Sequence, residues 1–259
     1  MNRNALLLLV FACSMPVSAA APPNGVYAVG HRGFKAVAPE NTIESFEAAA
    51  AVGTDYMETD IRPSREGELV LMHDGTVDRT TNGKGAVSNL SFAELRQLDA
   101  GHGQRIPTFR EALLWAKRKG VRIDVDHKAG AVEDLARVIQ ETGMTKLVVV
   151  EGNRENLVKF ATLLPGIDTM PKVDSVSDVG VACGLLHTTV IRLSLEQLAQ
   201  PAYVGAVNGC GARVSVTVLG QADNEEDIRR AITLGAQLIE TDHPDLVARI
   251  RLTAKFEPR

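Results

Sequence analysis

Apolar, β-branched segments alternate with helical patterns along almost the whole chain, which has 259 residues. This alternation predicts repeated strand–helix units, and such units form a parallel sheet covered by helices. Eight strands are predicted, at residues 26–30, 55–61, 121–126, 146–150, 168–170, 189–193, 213–218 and 238–241. Helices are predicted at residues 42–51, 91–98, 108–119, 131–141, 155–164, 177–185, 195–207 and 225–234. The length suits one α/β barrel and does not require a second domain.

A ninth apolar segment, residues 69–73, follows the second strand after only a short turn. A parallel crossover needs about a dozen residues or more, so this segment is predicted to return antiparallel to the second strand, as a hairpin. The hairpin would bring His73 and Asp74 back over the carboxyl ends of the strands. Residues 76–120 exceed the length of an ordinary connection, and we expect a small insertion over the same face.

The first 19 residues differ in composition from the rest of the chain. Arg3 precedes an apolar run over residues 5–12, and small residues follow at 17–19, so a secretory signal peptide is predicted at residues 1–19. The mature domain is then residues 20–259, and the protein is expected to be secreted or periplasmic. Lipoprotein anchoring at Cys13 is the less favoured alternative, because Phe11 fits poorly before the small residue.

Charge and cysteine content limit the possible partners. The formal net charge of −4 disfavours nucleic acid and anionic membrane surfaces. The apolar run near the N-terminus is too short for a stable spanning helix, so stable membrane insertion is not expected. Cys183 and Cys210 follow the signal segment, and a disulfide and two buried thiols are both compatible with the sequence. The oligomeric state is open.

Carboxylates recur two residues apart on two predicted strands. Glu58 and Asp60 point to one face of the second strand. Asp124 and Asp126 repeat the spacing on the third strand. Grouped carboxylates repel one another unless a cation neutralises them, and oxygen ligands suit a hard cation. The pattern predicts a site for one divalent cation, Ca²⁺ or Mg²⁺, whereas either pair taken alone could be a solvated pair at an exposed strand end.

Two histidines and two basic residues accompany these acids. His31 ends the first strand and His73 lies in the hairpin, so both imidazoles are predicted near the carboxylates. An imidazole titrates near neutral pH and can transfer protons to and from ester oxygens. Arg32 and Lys128 are suited to donate to non-bridging phosphate oxygens. Asp74 is a weaker candidate to orient an imidazole, since neighbours on a strand face opposite sides. Together these residues indicate metal-assisted cleavage of a phosphodiester.

The order of these segments resembles the glycerophosphodiester phosphodiesterase family from about residue 26 to residue 247. The resemblance implies a TIM (β/α)8 barrel that hydrolyses small-molecule glycerophosphodiesters to an alcohol and glycerol 3-phosphate. The motifs that carry it are His31-Arg32-Gly33, Pro39-Glu40-Asn41-Thr42, Glu58-x-Asp60, Glu66-Gly67-Glu68, His73-Asp74, Arg79-Thr80-Thr81, Gly85, Ile106-Pro107-Thr108 and Thr241-Asp242-x-Pro244.

The same resemblance implies roles for individual residues. The catalytic pair would be His31 and His73, the metal ligands Glu58, Asp60 and Asp126, and the substrate-binding residues Arg32 and Lys128. Asp126 stands where the family usually has a glutamate. A second departure is Val-Thr-Val-Leu at residues 216–219, where the family often has Trp-Thr-x-Asn. Without that aromatic wall and amide, the choice of alcohol head group is open.

Two other functions share this pattern. A phospholipase D-like or phospholipase C-like enzyme on the same scaffold would act on lipids, and the net negative charge counts against it. A non-catalytic protein that binds phosphate ligands would keep the fold, and the presence of both His31 and His73 counts against it.

Overall fold

The computed structural model describes residue 22 and residues 25–253. The predicted signal peptide, with Cys13, lies outside the described residues. The described residues contain nine strands in one sheet. Their bounds are β1 (Tyr27–Gly30), β2 (Tyr56–Pro63), β3 (Leu69–Leu71), β4 (Arg122–His127), β5 (Val148–Gly152), β6 (Asp168–Pro171), β7 (Val190–Leu193), β8 (Arg213–Thr217) and β9 (Leu238–Thr241).

Eight of these strands form a nearly closed parallel barrel in the order β6-β5-β4-β2-β1-β9-β8-β7. Between β6 and β7 a parallel bridge joins Lys172 and Arg192. The exception is β3, which runs antiparallel to β2 as the short turn between them predicts. The predicted TIM (β/α)8 barrel is therefore confirmed, and the carboxyl ends of the eight parallel strands lie at one face.

Helices cover the outside of the barrel, and local chemistry sets their ends. At α3, the Thr108 side chain accepts a hydrogen bond from the backbone N–H of Glu111, and Gly120 ends the helix with a φ of 70°. The described helices are α1 (Ile43–Ala51), α2 (Phe92–Leu95), α3 (Phe109–Lys119), α4 (Val132–Thr142), α5 (Arg154–Leu163), α6 (Val176–Leu186), α7 (Leu195–Leu198), α8 (Pro201–Gly209), α9 (Glu225–Thr233) and α10 (Pro244–Thr253).

The helices differ from the predictions in three places. The single helix predicted at residues 195–207 is wrong, because Pro201 lacks a backbone N–H and begins a separate helix, α8. The helix predicted at residues 91–98 is present only as the short α2. The sequence analysis missed α10, which begins at Pro244.

Apolar clusters fill the space between the barrel and its helices. Two large clusters lie on the two halves of the barrel. A smaller one lies beneath the insertion and includes Val70, Met72, Val77, Leu95 and Ile106. Because this smaller cluster joins β3 to the insertion, it anchors the segment that carries His73 over the carboxyl-end face.

The two cysteines of the described chain are joined. Cys183 in α6 and Cys210 at the end of α8 form a disulfide bond, which settles the question that the sequence leaves open. The helices α6 and α8 also pack against each other. None of the described helices is long and apolar enough to cross a membrane.

Candidate active site

The residues singled out by the sequence all lie at the carboxyl-end face of the barrel. Each lies in a strand or in the loop that follows one. Residues at these positions form the active sites of TIM barrels. Those in strands are Glu58 and Asp60 in β2 and Asp126 in β4, and those in the loops that follow are His31, Arg32, His73 and Lys128.

Three carboxylates converge at this face and form the carboxylate triad, Glu58, Asp60 and Asp126. One oxygen of each lies within 4.8 Å of the other two. Glu58 and Asp60 are only 4% and 1% exposed. Burial, and then the charges of neighbouring carboxylates, raise the pKa of Glu58 well above its ordinary value. The β2 carboxylates are therefore not a solvated pair at an exposed strand end.

The loop after β1 orients two of these carboxylates. The backbone N–H of Arg32 donates to Glu58 Oε2 at 2.9 Å. Asn41 Nδ2 donates to Asp60 Oδ2 at 2.8 Å. Arg32 and Asn41 have φ angles of 55° and 56°, which residues other than glycine rarely adopt. This uncommon loop conformation directs two donors at the carboxylates of β2.

Lys128 contacts both aspartates of the triad. Its Nζ lies 2.5 Å from Asp126 Oδ2 and 3.2 Å from Asp60 Oδ1. Burial acts to lower the pKa of Lys128, but the hydrogen bonds and charges of the two aspartates outweigh burial and raise it. Lys128 is therefore charged at neutral pH, at the edge of the triad.

The triad fits a hard divalent cation. Its donors are carboxylate oxygens, which Ca²⁺ and Mg²⁺ prefer. The raised pKa of Glu58 reflects desolvation and repulsion by four other carboxylates, and a bound cation would relieve that repulsion. Burial also raises the pKa of Asp126. Ionisation is therefore unfavourable at both Glu58 and Asp126 when no cation is bound.

Each histidine of the site is paired with its own aspartate. His31 Nδ1 lies 2.6 Å from Asp242 Oδ1, and His73 Nδ1 lies 2.6 Å from Asp74 Oδ1. A carboxylate acceptor favours the tautomer with the proton on Nδ1, which leaves Nε2 to exchange a proton with a ligand. Burial acts to raise the pKa of Asp242, but hydrogen bonds from His31 and Lys35 lower it below its ordinary value.

Asp74 is better placed to orient the His73 imidazole than the alternation of side chains along a strand predicts. Strand β3 ends at Leu71, so His73 and Asp74 lie beyond the strand and are not held on opposite faces. Their side chains meet directly. Hydrogen bonds from Arg79 and His73 hold the pKa of Asp74 well below its usual range. The pairing of Asp74 with His73 therefore matches that of Asp242 with His31.

Glu240 in β9 is a further carboxylate of this site that the sequence analysis missed. One of its oxygens lies within 4.8 Å of ligand atoms of His31 and Glu58. The available signal was a single acid in the otherwise uncharged run of β9. A charge in a buried strand needs a partner, and the partner of Glu240 lies on another strand.

That partner is Arg192 in β7, which is 5% exposed. Its guanidinium lies 2.5 Å from Glu240, 2.9 Å from Glu151 and 3.3 Å from Asp124. These four residues form the floor network. Asp124 thus pairs with Arg192 and does not join the carboxylate triad, contrary to the repeated spacing of Asp124 and Asp126. Burial acts to lower the pKa of Arg192, but its three carboxylates raise it.

Two cavities of about 540 Å³ each open beside these groups. The first is lined in part by Asp126 and Glu151, and the second by Arg192 and Thr217. No aromatic side chain is among the described residues that line them. Val216, the position where the family often has an aromatic wall, is buried between sheet and helices. Its side chain therefore packs in the core, whereas the side chain of the neighbouring Thr217 lines the second cavity.

The chain matches a family of known enzymes. Residues 31–161 match the model of the glycerophosphoryl diester phosphodiesterase family. A glycerophosphodiester phosphodiesterase of Caldanaerobacter subterraneus subsp. tengcongensis is 31% identical over 236 residues, which cover 84% of this chain and 94% of that protein. A glycerophosphodiester phosphodiesterase of Bacillus subtilis is 26% identical over 294 residues, covering 97% of this chain and 99% of that protein.

Solved structures show the same similarity. A glycerophosphodiester phosphodiesterase from Agrobacterium tumefaciens superimposes with a TM-score of 0.78 at 28% identity, over 86% of this chain and 99% of that one. An Oleispira antarctica phosphodiesterase, solved in complex with the product sn-glycerol-3-phosphate, has a TM-score of 0.77 at 23% identity, over 88% of this chain and 97% of that one.

Proposed function

We propose that this chain, which belongs to the glycerophosphoryl diester phosphodiesterase family and is a phosphoric diester hydrolase, hydrolyses glycerophosphodiesters to an alcohol and glycerol 3-phosphate. The observation that carries the proposal is the placement of the carboxylate triad and two aspartate-paired histidines at one face. Cleavage of an anionic diester needs charge neutralisation and proton transfer, and these groups can supply both. The product bound in the Oleispira antarctica structure supports the choice of glycerol 3-phosphate.

One divalent cation, Ca²⁺ or Mg²⁺, is part of the proposal. Glu58, Asp60 and Asp126 would hold it. When bound, such a cation neutralises phosphate charge and polarises a phosphoryl oxygen. The convergence of buried carboxylates with raised pKa values supports its binding.

Arg32 and Lys128 bind the phosphate in this proposal. Arg32 Nε is buried and, although it lies 3.3 Å from Asp60 Oδ2, makes no hydrogen bond among the described residues. A buried donor without a hydrogen bond is rare in folded proteins, and a phosphate oxygen would satisfy it. Lys128 Nζ borders the same aspartate. Both groups therefore stabilise negative charge on the non-bridging oxygens as the diester is cleaved.

His31 and His73 transfer the protons. One Nε2 accepts the proton of the attacking oxygen, which belongs to water or to the neighbouring glycerol hydroxyl, and the other donates a proton to the oxygen of the leaving alcohol. If the glycerol hydroxyl attacks, a cyclic phosphate forms, and water then opens it to glycerol 3-phosphate. Asp242 and Asp74 fix the orientation of the rings and stabilise each ring when it is positively charged.

The experiment is a panel of glycerophosphocholine, glycerophosphoethanolamine and glycerophosphoglycerol, each incubated with the protein and Ca²⁺ or Mg²⁺. A coupled dehydrogenase measures released glycerol 3-phosphate. We expect release with at least one metal and none after chelation. Cleavage confined to phospholipid vesicles would indicate a lipid phosphodiesterase, and binding without turnover would indicate a binding protein. Either result would contradict the proposal.

We also infer that the protein acts outside the cytoplasm, in the secreted or periplasmic fraction. The composition of residues 1–19 supports this location. The disulfide between Cys183 and Cys210 also supports it, because disulfides persist in oxidising compartments. Cell fractionation with N-terminal sequencing of the mature chain tests the inference, and an uncleaved cytoplasmic protein would contradict it.

A further inference from the structure

One arginine of the insertion joins two parts of the active site. Arg79 lies between β3 and α2, and all three of its guanidinium nitrogens contact carboxylates. Nε and Nη2 lie 2.7 and 3.1 Å from the two oxygens of Asp74. Nη1 and Nη2 each lie 2.8 Å from an oxygen of Glu40. Arg79 therefore makes two paired contacts at once, one to the end of the hairpin and one to the loop after β1.

Each of these carboxylates also contacts a residue of the proposed machinery. Asp74 Oδ1, which accepts from Arg79 Nη2, lies 2.6 Å from His73 Nδ1. Glu40 Oε1, which also accepts from Arg79 Nη2, accepts from Arg32 Nη1 at 2.9 Å. A continuous chain of contacts thus runs from an acid–base group to a phosphate-binding group, with Arg79 at its centre.

We propose that Arg79 is a positioning residue that holds His73 through Asp74 and Arg32 through Glu40. This inference rests on the proposed function, because it concerns how the same site is held. It goes further because it assigns one residue of the insertion to the positioning of both a proton-transfer group and a phosphate-binding group. Asp74, Arg79 and Glu40 form the clamp.

The chemistry of the clamp favours arginine. A planar guanidinium can donate to two carboxylates along two edges, whereas the ammonium group of lysine is a point charge. Hydrogen bonds from Arg79 and then His73 lower the pKa of Asp74. Burial acts to raise the pKa of Glu40, but the hydrogen bond of Arg79 and the charge of Arg32 lower it. Both carboxylates are therefore ionised and hold their partners by charge-assisted hydrogen bonds.

A purely structural role for Arg79 would give a different pattern of losses. The Arg79 side chain is 47% exposed, and ion pairs at such positions contribute little to the free energy of unfolding. If Arg79 were only structural, its substitution would lower activity by the same factor in the wild type and in a variant that lacks His73. A positioning residue instead loses its effect on kcat when the residue that it positions is removed.

The test measures kcat and KM of Arg79→Met on a glycerophosphodiester that the wild type cleaves. We expect kcat to fall about tenfold to a hundredfold and KM to rise about threefold or more. Arg79→Lys should lose nearly as much. Asp74→Asn should reproduce the loss of kcat alone, and Glu40→Gln the rise of KM alone. Arg96→Met is the matched control, since Arg96 lies in the same insertion and pairs at 3.0 Å with Glu111, and it should match the wild type within about twofold.

The decisive variant combines Arg79→Met with His73→Ala. If Arg79 acts through His73, its substitution leaves kcat within about twofold of that of His73→Ala alone. The rise in KM should persist, because Arg32 is still present. A further loss of about tenfold in kcat in this background would overturn the proposal. Wild-type kcat and KM in the single variant Arg79→Met would overturn it too.

Thermal unfolding separates positioning from a general disturbance of the site. Among the described contacts, Arg79 makes none to the carboxylate triad, so Arg79→Met should keep the rise in Tm that a divalent cation produces. Loss of that rise would overturn the proposal. An inactive wild type would contradict the proposed function and this inference together, whereas an active wild type with an unaffected Arg79→Met would contradict the inference alone.

Discussion

Divalent cations should stabilise the folded protein by binding to the carboxylate triad. At a metal concentration about one hundred times the dissociation constant, binding adds about 2.7 kcal/mol to the free energy of unfolding. In a domain of this size each kcal/mol raises Tm by about 2–4 °C, so we expect a rise of about 5–11 °C. Scanning fluorimetry measures it when Ca²⁺ or Mg²⁺ is titrated into chelator-treated protein.

Glu58→Gln provides the strongest form of this prediction. Burial and neighbouring carboxylates raise the pKa of Glu58, so the ionised side chain opposes folding when no cation is bound. Glutamine removes the charge and keeps an oxygen to accept from the backbone N–H of Arg32, as Glu58 Oε2 does. At about pH 8 we expect the metal-free variant to be more stable than the metal-free wild type. It should also lose most of the metal-induced rise in Tm.

The pH dependence has a definite sign. The pKa of Glu58 is higher in the folded protein than in the unfolded chain. Between these two pKa values the folded protein binds more protons than the unfolded chain, so the free energy of unfolding of the metal-free protein falls as pH rises. The metal-induced rise in Tm should therefore be larger at about pH 8 than at about pH 5. Glu133→Gln, on the exposed face of α4, is the control. It should change neither the stability of the metal-free protein nor the metal-induced rise in Tm. A metal-free Glu58→Gln less stable than the wild type, or with an unchanged metal-induced rise, would refute this reasoning.

Three further predictions concern the histidines, the floor network and the disulfide. His31→Ala and His73→Ala should each lower kcat by at least about a hundredfold in steady-state assays, with Tm nearly unchanged; near-normal turnover would make that ring structural. Arg192→Met should lower the free energy of unfolding in urea by about 3–5 kcal/mol, because it leaves buried carboxylates unpaired. A loss below about 1 kcal/mol would contradict that pairing. Replacing Cys183 and Cys210 together by serine should lower the free energy of unfolding by about 2–4 kcal/mol. Equal stability of this variant and the oxidised wild type would show that the disulfide does not stabilise the fold.

The sequence predicts the strands and the common face of Glu58 and Asp60, for local reasons. Apolar, β-branched runs mark buried parallel strands, and all eight predicted parallel strands are present. The i, i+2 spacing of Glu58 and Asp60 places both on one face of a strand, which requires no knowledge of distant residues. The short turn before β3 likewise determines its antiparallel direction.

The floor network could not be predicted because its contacts join distant strands. Arg192 pairs with Asp124 and Glu240 across the inside of the barrel, and spacing along the chain does not indicate which charges will meet. The same limit applies to Asp124. It is spaced from Asp126 as Glu58 is from Asp60, but its side chain pairs with the guanidinium of Arg192 and not with the carboxylate triad. Asp74 was underrated because its role depends on where β3 ends, and strand ends are poorly marked in sequence.

The central claim is that the active site leaves the phosphate on glycerol and releases the alcohol. Phosphorus NMR of the wild-type protein with glycerophosphocholine and a divalent cation tests this most directly. We expect the substrate signal to be replaced by that of glycerol 3-phosphate, at a rate that falls by at least about a hundredfold in His73→Ala. Phosphocholine as the product, or an unchanged substrate signal with both Ca²⁺ and Mg²⁺, would contradict the claim.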